Sequence, residues 1–188
     1  MKELLSLLNN ICLLSPALQQ YLLDTINTKT YRKKSLLLAE GQVCRHIFFI
    51  RKGLVRSFYY EGAADISSKF MKEGEIIVAA GSFFKQTETD ELLQAVEDTT
   101  VWCLSYDDFL ICCKQFPEFN CIARVIATRA YMLCEQRLRF VRMKQASNRY
   151  NAMLQYFPEL ILRVPAKYIA SYLGISVETL SRIRSGAY

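Results

Sequence analysis

Glycine and proline are scarce in this chain, with 7 and 4 copies among 188 residues. That scarcity excludes collagen-like, linker-rich and low-complexity proteins. Long apolar runs are also missing, because none approaches the roughly 18 residues that a membrane-spanning helix needs. The N-terminus contains an early acid, Glu3, and no small-residue cleavage site. We therefore expect an amphipathic helix of the mature protein there rather than a signal peptide, and no membrane partner.

Histidine occurs once, at His46, so counting excludes a multi-histidine metal site or a conventional Ser-His-Asp triad centred elsewhere. His46 precedes an aromatic run, and we interpret it as a turn or core residue. The seven cysteines are scattered, and the adjacent pair Cys112-Cys113 lacks the CxxC spacing that clips a metal. We expect reduced thiols in a cytoplasmic protein, no metal, no cofactor and no enzymatic activity.

Positive charge is concentrated at the C-terminal end. Residues 137–188 contain 9 basic and 2 acidic side chains, a net of +7, whereas residues 1–113 contain 12 basic and 14 acidic ones, a net of −2. A basic segment behind a near-neutral one indicates a polyanionic partner. The alternative is a solvated basic surface, which charge alone does not exclude.

The pattern of apolar and turn-forming residues changes three times along the chain. Leucines at three-to-four spacing predict helices to about residue 30. Short apolar runs separated by glycine or acidic turns then predict an antiparallel sandwich or barrel, whose aromatic residues most simply fill its core. The predicted strands are Ser35–Leu38, Ile47–Ile50, Val55–Tyr60, Ile66–Met71, Leu92–Val96 and Val101–Leu104. Helix returns at Tyr106.

A long helix is predicted from Pro117 to about Arg142, because no glycine or proline interrupts it. Apolar residues recur along it at roughly heptad spacing, and this narrow stripe favours a self-pairing dimer helix over a membrane-surface helix. The predicted dimer interface comprises Phe119, Ile122, Ile126, Leu133 and Phe140.

The last segment predicts shorter helices joined by a tight turn. Pro165 suits the first turn of a helix, Gly174 can end that helix in the left-handed conformation, and Ser176 is a good N-cap for the next one. The predicted helices are Gln145–Tyr156, Ala166–Tyr172 and Val177–Arg184. Helix, short glycine-containing turn and helix together form the helix-turn-helix pattern.

The outward face of the final helix carries the chemistry. Glu178, Ser181 and Arg182 stand at i, i+3 and i+4, so they share one side. Arginine binds guanine O6 and N7 bidentately in the major groove, glutamate accepts from cytosine N4, and serine serves several partners. The alternative is an exposed Glu178–Arg182 pair worth about 0.2–0.5 kcal/mol. Together with the basic segment and the turn, the pattern favours DNA reading.

Ser-Val-Glu-Thr-Leu-Ser-Arg-Ile at 176–183 resembles the recognition helix of the Crp/Fnr family of bacterial transcription regulators, and its Glu-x-x-Ser-Arg arrangement is closer to the Fnr branch. The resemblance covers nearly the whole chain. Gly41, Lys52-Gly53, Gly74-Glu75, Ser105-Tyr106 and Pro117 stand where the family's cyclic-nucleotide-binding-type β-roll and dimer helix have them.

The resemblance implies that Glu178, Ser181 and Arg182 read bases and that Thr179 lies near a phosphate. Ser176, Lys167 and Arg163 complete the predicted DNA-binding set, with the last two outside the reading face and expected to meet phosphates.

Three departures from the family pattern affect these expectations. The family's phosphate-binding cassette has a Gly-Glu pair and, further on, an Arg-Ser pair, but here Val78-Ala79 and Thr89-Asp90 occupy those positions. A cyclic phosphate needs a cation and amide donors, and Asp90 would repel it. The N-terminal cysteine cluster of iron–sulfur sensors is absent, since Cys12 is alone there, and no wing is expected after the last helix. The candidate ligand pocket comprises Val78, Ala79, Ala80, Thr89 and Asp90.

The sequence thus predicts an α+β protein: an N-terminal antiparallel β-roll sensor with flanking helices (1–115), a dimerisation helix (116–143) and a helix-turn-helix DNA-binding domain (144–188). Its predicted function is a homodimeric transcription regulator that reads a palindromic operator in double-stranded DNA and does not bind cyclic AMP in the usual way. RNA polymerase and an unknown small-molecule effector stay open as partners. The alternative is a ligand-sensing or protein-interaction module that has lost specific DNA binding; an enzyme in the β-roll lacks a nucleophile–base pattern.

Overall fold

The computed structural model describes residues 1–187. They divide into two compact units, the first formed by Met1–Ser57 and Phe70–Arg129 and the second by Phe58–Lys69 and the residues from Ala130 onward. This division differs from the three segments expected from the sequence, because the long helix is shared between the units and one β-hairpin belongs with the C-terminal helices.

Two helices open the chain, α1 (Lys2–Asn9) and α2 (Pro16–Thr25). Ser15 caps α2, since its Oγ accepts a hydrogen bond from the Leu18 amide at 3.2 Å. The same hydroxyl donates to Glu118 Oε1 at 2.6 Å, and this bond is the main reason that the pKa of Glu118 is lowered. The N-terminal helices are thereby tied to the long helix that contains Glu118.

The strands form two four-stranded sheets with the orders β1-β8-β3-β6 and β2-β7-β4-β5. Strand β3 pairs antiparallel with β6 and β8, β1 with β8, and β2 with β7. The strands are β1 (Asn27–Tyr31), β2 (Leu36–Leu38), β3 (His46–Lys52), β4 (Val55–Glu61), β5 (Ala64–Met71), β6 (Ile76–Ile77), β7 (Leu92–Ala95) and β8 (Thr99–Ser105).

The six strand runs predicted from the sequence are confirmed, with ends within two residues of the observed ones. Strands β1 and β6 were not predicted from the sequence. Strand β1 has the sequence Asn-Thr-Lys-Thr-Tyr with its first four residues exposed, so it lacks the apolar alternation that marks a strand. It is a strand because β8 supplies a complete antiparallel ladder beside it. Strand β6 has two residues, too few for a pattern.

The turn between β3 and β4 requires glycine. Gly53 has φ +103°, and a Cβ there would lie 2.7 Å from Thr99 Cα and 2.8 Å from the Asp98 carbonyl oxygen. A side chain does not fit so close to backbone. The Gly53 amide also donates to Glu73 Oε1 at 2.7 Å, which closes the turn.

Helix α3 lies between β6 and β7, and six helices follow the last strand. The helices are α3 (Ala80–Lys85), α4 (Tyr106–Gln115), α5 (Pro117–Val141), α6 (Ala146–Tyr156), α7 (Pro158–Arg163), α8 (Ala166–Leu173) and α9 (Val177–Arg184). The predicted bounds of α5, α6, α8 and α9 are met to within one residue, whereas α3 and α7 were not predicted. In the described part of the chain, no helix combines the length and apolarity needed to cross a bilayer.

The first unit contains two apolar cores. One fills the space between α1, α2, β8 and the start of α5, where Leu18, Trp102 and Ile122 are at most 3% exposed. The other fills the inside of the roll around Val55 and Phe83, both fully buried. Burial of this kind is the main stabilising term for the unit.

Candidate functional site

Helices α8 and α9 are joined at Gly174, which has the left-handed conformation with φ +63° and ψ +43°. The Ile175 amide donates to the Ala170 carbonyl oxygen at 3.0 Å. The Gly174 amide donates to the Ser171 carbonyl oxygen at 3.1 Å. These two bonds form a Schellman motif, whose left-handed residue glycine adopts without steric cost. The motif ends α8 sharply and sets the direction of α9.

Ser176 begins α9 as its N-cap. Its Oγ accepts from the Thr179 amide at 3.1 Å, and the two hydroxyl groups lie 3.2 Å apart. Glu178 follows in the first turn, where its own backbone amide lowers the pKa of the carboxyl, with further lowering by Ser176 and Arg182. The carboxylate is therefore charged at neutral pH, at the helix end whose dipole favours an anion.

One face of α9 presents the three predicted base readers. Glu178, Ser181 and Arg182 are all exposed, while Thr179 is half-buried beside the cap. Leu180, on the opposite side, is 1% exposed. The apolar anchor on one side and three hydrogen-bonding groups on the other are what a helix needs to enter a DNA groove.

Two arginines that the sequence analysis did not select support the helix-turn-helix. The Arg184 guanidinium lies 5.8 Å from the ring centroid of Tyr150 on α6, a cation–π distance. Arg149 on α6 donates from Nε to the Leu173 carbonyl oxygen at 2.9 Å, at the end of α8. In a segment with nine basic residues, no sequence signal separates these structural arginines from DNA contacts.

The two predicted phosphate contacts differ in their surroundings. Lys167 is exposed in the first turn of α8, where helix amides also favour an anion. Arg163 lies at the end of α7, is half-buried and already interacts with neighbouring groups. The structure therefore favours Lys167 over Arg163 as a phosphate contact.

The predicted ligand pocket lies where β6, α3 and β7 follow one another, and none of its five predicted residues is cationic. Ala79 is buried, whereas Ala80 and Asp90 are exposed. Thr89 is held by backbone, since its carbonyl accepts from Gly41 at 2.8 Å and its amide donates to Gln42 at 3.1 Å. Its hydroxyl accepts from an amide two residues further along the chain. These positions offer a cyclic phosphate no counter-charge.

Buried polar groups near this pocket are engaged with one another. Arg56 on β4 is 2% exposed, and its Nε donates to Gln94 Oε1 at 2.9 Å. The Ser57 hydroxyl donates to the Glu91 carboxylate. The roll thus places the carboxylate of Glu91 next to the predicted pocket. Its buried arginine, Arg56, is hydrogen-bonded to the side-chain amide of Gln94. These residues do not fit a cyclic nucleotide bound through its phosphate.

The structure corrects the predicted dimer stripe in part. Phe119 and Ile122 are 5% and 1% exposed and belong to the core of the first unit. Phe140 is 7% exposed and packs on the rings of Tyr156 and Phe157. Heptad spacing found an apolar face of α5, but neighbouring residues of the same chain cover that face. The remaining predicted positions, Ile126 and Leu133, are half-buried.

A different stripe on α5 is exposed. Tyr131, Cys134, Leu138 and Val141 are spaced by three, four and three residues, which is heptad spacing. Tyr131, Leu138 and Val141 are 64%, 58% and 70% exposed. This group is called the exposed stripe below.

The thiols divide into inert and accessible groups. Burial raises the pKa of Cys103 to about 11 and that of Cys112 to about 12, so both are neutral at physiological pH. The thiol of Cys12 lies within hydrogen-bonding reach of Cys121, which is the main cause of its raised pKa. Cys134 is exposed.

The single histidine lies at the start of a strand. His46 begins β3 opposite Ser105, and burial lowers the pKa of its imidazole. Its ring lies 6.1 Å from that of Phe48, centroid to centroid. The surroundings are those of a packed strand residue.

Comparisons with known proteins agree with the fold described above. Residues 28–116 match the family model of the cyclic nucleotide-binding domain. A search of curated protein sequences found no significant match. The segment from β1 to α4 is thus similar to a cyclic nucleotide-binding domain, although its cassette does not fit that ligand.

Three solved structures illustrate the similarity of the whole chain. A double mutant of CooA from Carboxydothermus hydrogenoformans is 20% identical, with a TM-score of 0.70 and coverage of 92% of this chain and 80% of that one. The c-di-GMP responsive global regulator CLP of Xanthomonas campestris is 14% identical, with a TM-score of 0.73 and coverage of 89% of each chain. A CRP/FNR family transcriptional regulator from Thermus thermophilus is 14% identical, with a TM-score of 0.67 and coverage of 85% of this chain and 84% of that one.

This protein therefore has the fold of the Crp/Fnr transcription regulators, and the resemblance seen in the sequence is confirmed at the level of the fold.

Proposed function

We propose that the protein is a DNA-binding transcription regulator that reads a palindromic operator as a homodimer. The observation that carries this proposal is the exposed face of α9, where Glu178, Ser181 and Arg182 stand together at the end of a strongly basic segment. Helix α9 enters the major groove, with Arg182 on a guanine and Glu178 on the cytosine side of a neighbouring pair. Lys167 contacts a phosphate.

The dimer forms through the exposed stripe of α5. Two copies of α5 side by side cover Tyr131, Leu138 and Val141, which a single chain leaves in water. This arrangement differs from the stripe expected from the sequence because most of that stripe is already covered within one chain. A two-fold dimer presents two copies of α9 to half-sites about 34–36 Å apart.

The β4–β5 hairpin supplies a route for a signal. Its outer residues, Phe58–Lys69, belong to the second unit, whereas the ends of the two strands belong to the first unit. The Ser67 amide donates to Ser171 Oγ on α8 at 2.8 Å, and that hydroxyl donates to the Asp65 carbonyl oxygen at 2.6 Å. A change in the hairpin is thus passed by direct hydrogen bonds to the first helix of the helix-turn-helix.

The signal in the roll is not cyclic AMP bound in the usual way, because Thr89 and Asp90 stand where the phosphate partners are expected and none of the five predicted pocket residues is a cation. The second candidate function is a sensor or interaction module without specific DNA binding. The buried polar groups of the roll, which bond to one another, are compatible with such a module. A module of this kind does not account for the exposed hydrogen-bonding face of α9.

Selection from random duplex DNA separates the two functions. The regulator should enrich a palindrome whose half-sites lie about 10–10.5 base pairs apart, or a multiple of that, and its binding should weaken steeply with salt. A module with a merely basic surface should bind duplex DNA in a salt-dependent manner and enrich no sequence. Enrichment of nothing at any salt concentration would contradict the proposed function.

A further inference from the structure

The second unit contains a cleft of about 470 Å³ that lies apart from the exposed α9 face. Its walls come from the β4–β5 hairpin, the C-terminal end of α5 and the last turn of α8. The volume falls within the roughly 300–1,000 Å³ of small-molecule sites. We propose that this cleft binds an amphipathic organic carboxylate, with Arg137 on the carboxylate group and apolar side chains around the hydrocarbon body.

One cationic donor of the cleft lining has no acceptor among the described residues. Arg137 Nε is buried and has no hydrogen-bond partner among the described residues. The guanidinium group of Arg137 has a defined orientation, because it hydrogen-bonds to the hydroxyl of Tyr172, which also lines the cleft. A buried cationic N–H without an acceptor is unfavourable. Nε and a terminal nitrogen of a guanidinium form the fork that a carboxylate fills with two parallel hydrogen bonds.

The neighbouring charges favour a monoanion over a phosphate. Arg149 also lines the cleft, but its Nε donates to Leu173 and its Nη1 donates to the Met143 carbonyl oxygen at 2.6 Å. Nε and Nη1 of Arg149 are therefore held by backbone carbonyls, whereas Nε of Arg137 has no acceptor among the described residues. None of the described residues that line the cleft is acidic, so a carboxylate meets no like charge.

The remaining walls define the rest of the ligand. Tyr59 and Ile66 from the hairpin, Phe140 from α5 and Leu173 from α8 are apolar surfaces. Phe140 and Leu173 are only 7% and 5% exposed, so they form a dry inner side. A ligand with a medium-length alkyl or aromatic body gains burial there that acetate cannot.

A ligand in this cleft touches both partners of the Ser67–Ser171 junction, because both serines line it. Its binding therefore stabilises the contact between the hairpin and α8 and changes the affinity for operator DNA. This second statement rests on the proposed function, whereas binding of the carboxylate does not.

The test is calorimetric titration and thermal melting of the full chain with acetate, octanoate and benzoate, using 1-octanol as the uncharged match. Octanoate or benzoate should bind at least tenfold more tightly than acetate and 1-octanol. Arg137→Met should weaken that binding at least tenfold while melting no lower than the parent, because it removes the unpaired donor. Arg137→Lys, which keeps the charge and loses the fork, should weaken it too. Arg139→Met, at an exposed position on the same helix, is the matched control and should bind as the parent does.

Failure to bind any of these carboxylates, or equal binding by the parent and Arg137→Met, would overturn the site. Arg137-dependent binding of inorganic phosphate or cyclic AMP with no response to carboxylates would overturn it as well. The titrations contain no DNA, so a protein that binds octanoate through Arg137 and enriches no operator refutes the proposed function alone. Where an operator is found, octanoate should change its affinity for the parent and not for Arg137→Met.

Discussion

Single side chains in the C-terminal helices separate into two groups that composition cannot distinguish. Arg182 is exposed beside Glu178 on the face of α9, whereas Arg184 lies on the ring of Tyr150 and Arg149 holds the end of α8. The same residue type is thus available to a partner in one place and supports a helix in another. The contacts that each guanidinium group makes within the chain decide which.

Arg182→Ala should weaken operator binding by about 1–3 kcal/mol and relax specificity at one base pair, because it removes a bidentate guanine contact. Lys167→Ala should weaken binding to all sequences alike and lower the salt slope by about one unit. The measurement is affinity for a set of single-base operator variants at several salt concentrations.

Arg184→Ala is the control for lost stability, since it removes a cation–π contact worth about 0.5–1 kcal/mol and lies off the face of Glu178, Ser181 and Arg182. A uniform loss across sequences for Arg182→Ala, as for Lys167→Ala, would show that α9 does not read bases.

Cysteine oxidation should leave DNA affinity unchanged. Raised pKa values keep Cys103 and Cys112 as neutral thiols, so thiolate, the reactive form, is scarce at physiological pH. In the folded protein these two should resist a thiol reagent, and unfolding should release them. DNA affinity is measured in reducing buffer and after mild peroxide. A large reversible change traced to Cys12 and Cys121, whose thiols are adjacent, would contradict this prediction.

Helix α5 shows how one element serves two environments. Its first half contributes Ile122 to the core of the first unit, and Phe140 near its end packs on Tyr156 and Phe157. The exposed stripe lies on another side of the same helix. A 25-residue helix with a covered face and an uncovered apolar stripe is expected to pair along that stripe.

The protein should sediment at about twice 21.7 kDa. Leu138→Glu should convert it to a monomer, because it places a charge in the middle of the exposed stripe. Met132→Glu is the matched control, since Met132 is 61% exposed on the same helix and lies off the stripe. The thiol of Cys134 should react slowly in the dimer and quickly in the Leu138→Glu variant. A parent protein that is monomeric at micromolar concentration would refute the symmetric-operator arrangement.

The whole molecule combines a β-roll that has an altered cassette with a helix-turn-helix that has ordinary caps and turns. The roll and α8 are linked through the β4–β5 hairpin, whose tip bonds to Ser171. The roll is similar to cyclic nucleotide-binding domains, yet the predicted pocket residues lack the counter-charge for a cyclic phosphate.

Cyclic AMP should produce no heat of binding and no shift in melting temperature at physiological concentrations, because Thr89 and Asp90 stand where the phosphate partners are expected. The double change Thr89→Arg with Asp90→Ser removes a repelling carboxylate and adds a cation, so it should bind cyclic AMP more tightly than the parent does. Micromolar affinity of the parent would contradict this interpretation of the cassette.

Local patterns predicted much of the fold because they depend on near neighbours. The bounds of α9, the glycine turn before it and the Ser176 cap follow from residues a few positions apart. The order of antiparallel strands, long helix and helix-turn-helix likewise follows from periodicity and turn signals, whereas the β-roll was implied by the family resemblance. Strand β1 could not be found this way, because its polar residues become a strand only through pairing with β8.

The sequence by itself determined the fold class, the basic C-terminal end and the shared face of Glu178, Ser181 and Arg182, since helical spacing alone places them together. Tertiary structure decided which apolar face of α5 stays exposed, because that depends on what covers Phe119, Ile122 and Phe140. It also decided that Arg137 keeps an unpaired donor in a cleft. The residues that line this cleft come from distant parts of the chain, and no local pattern brings such residues together.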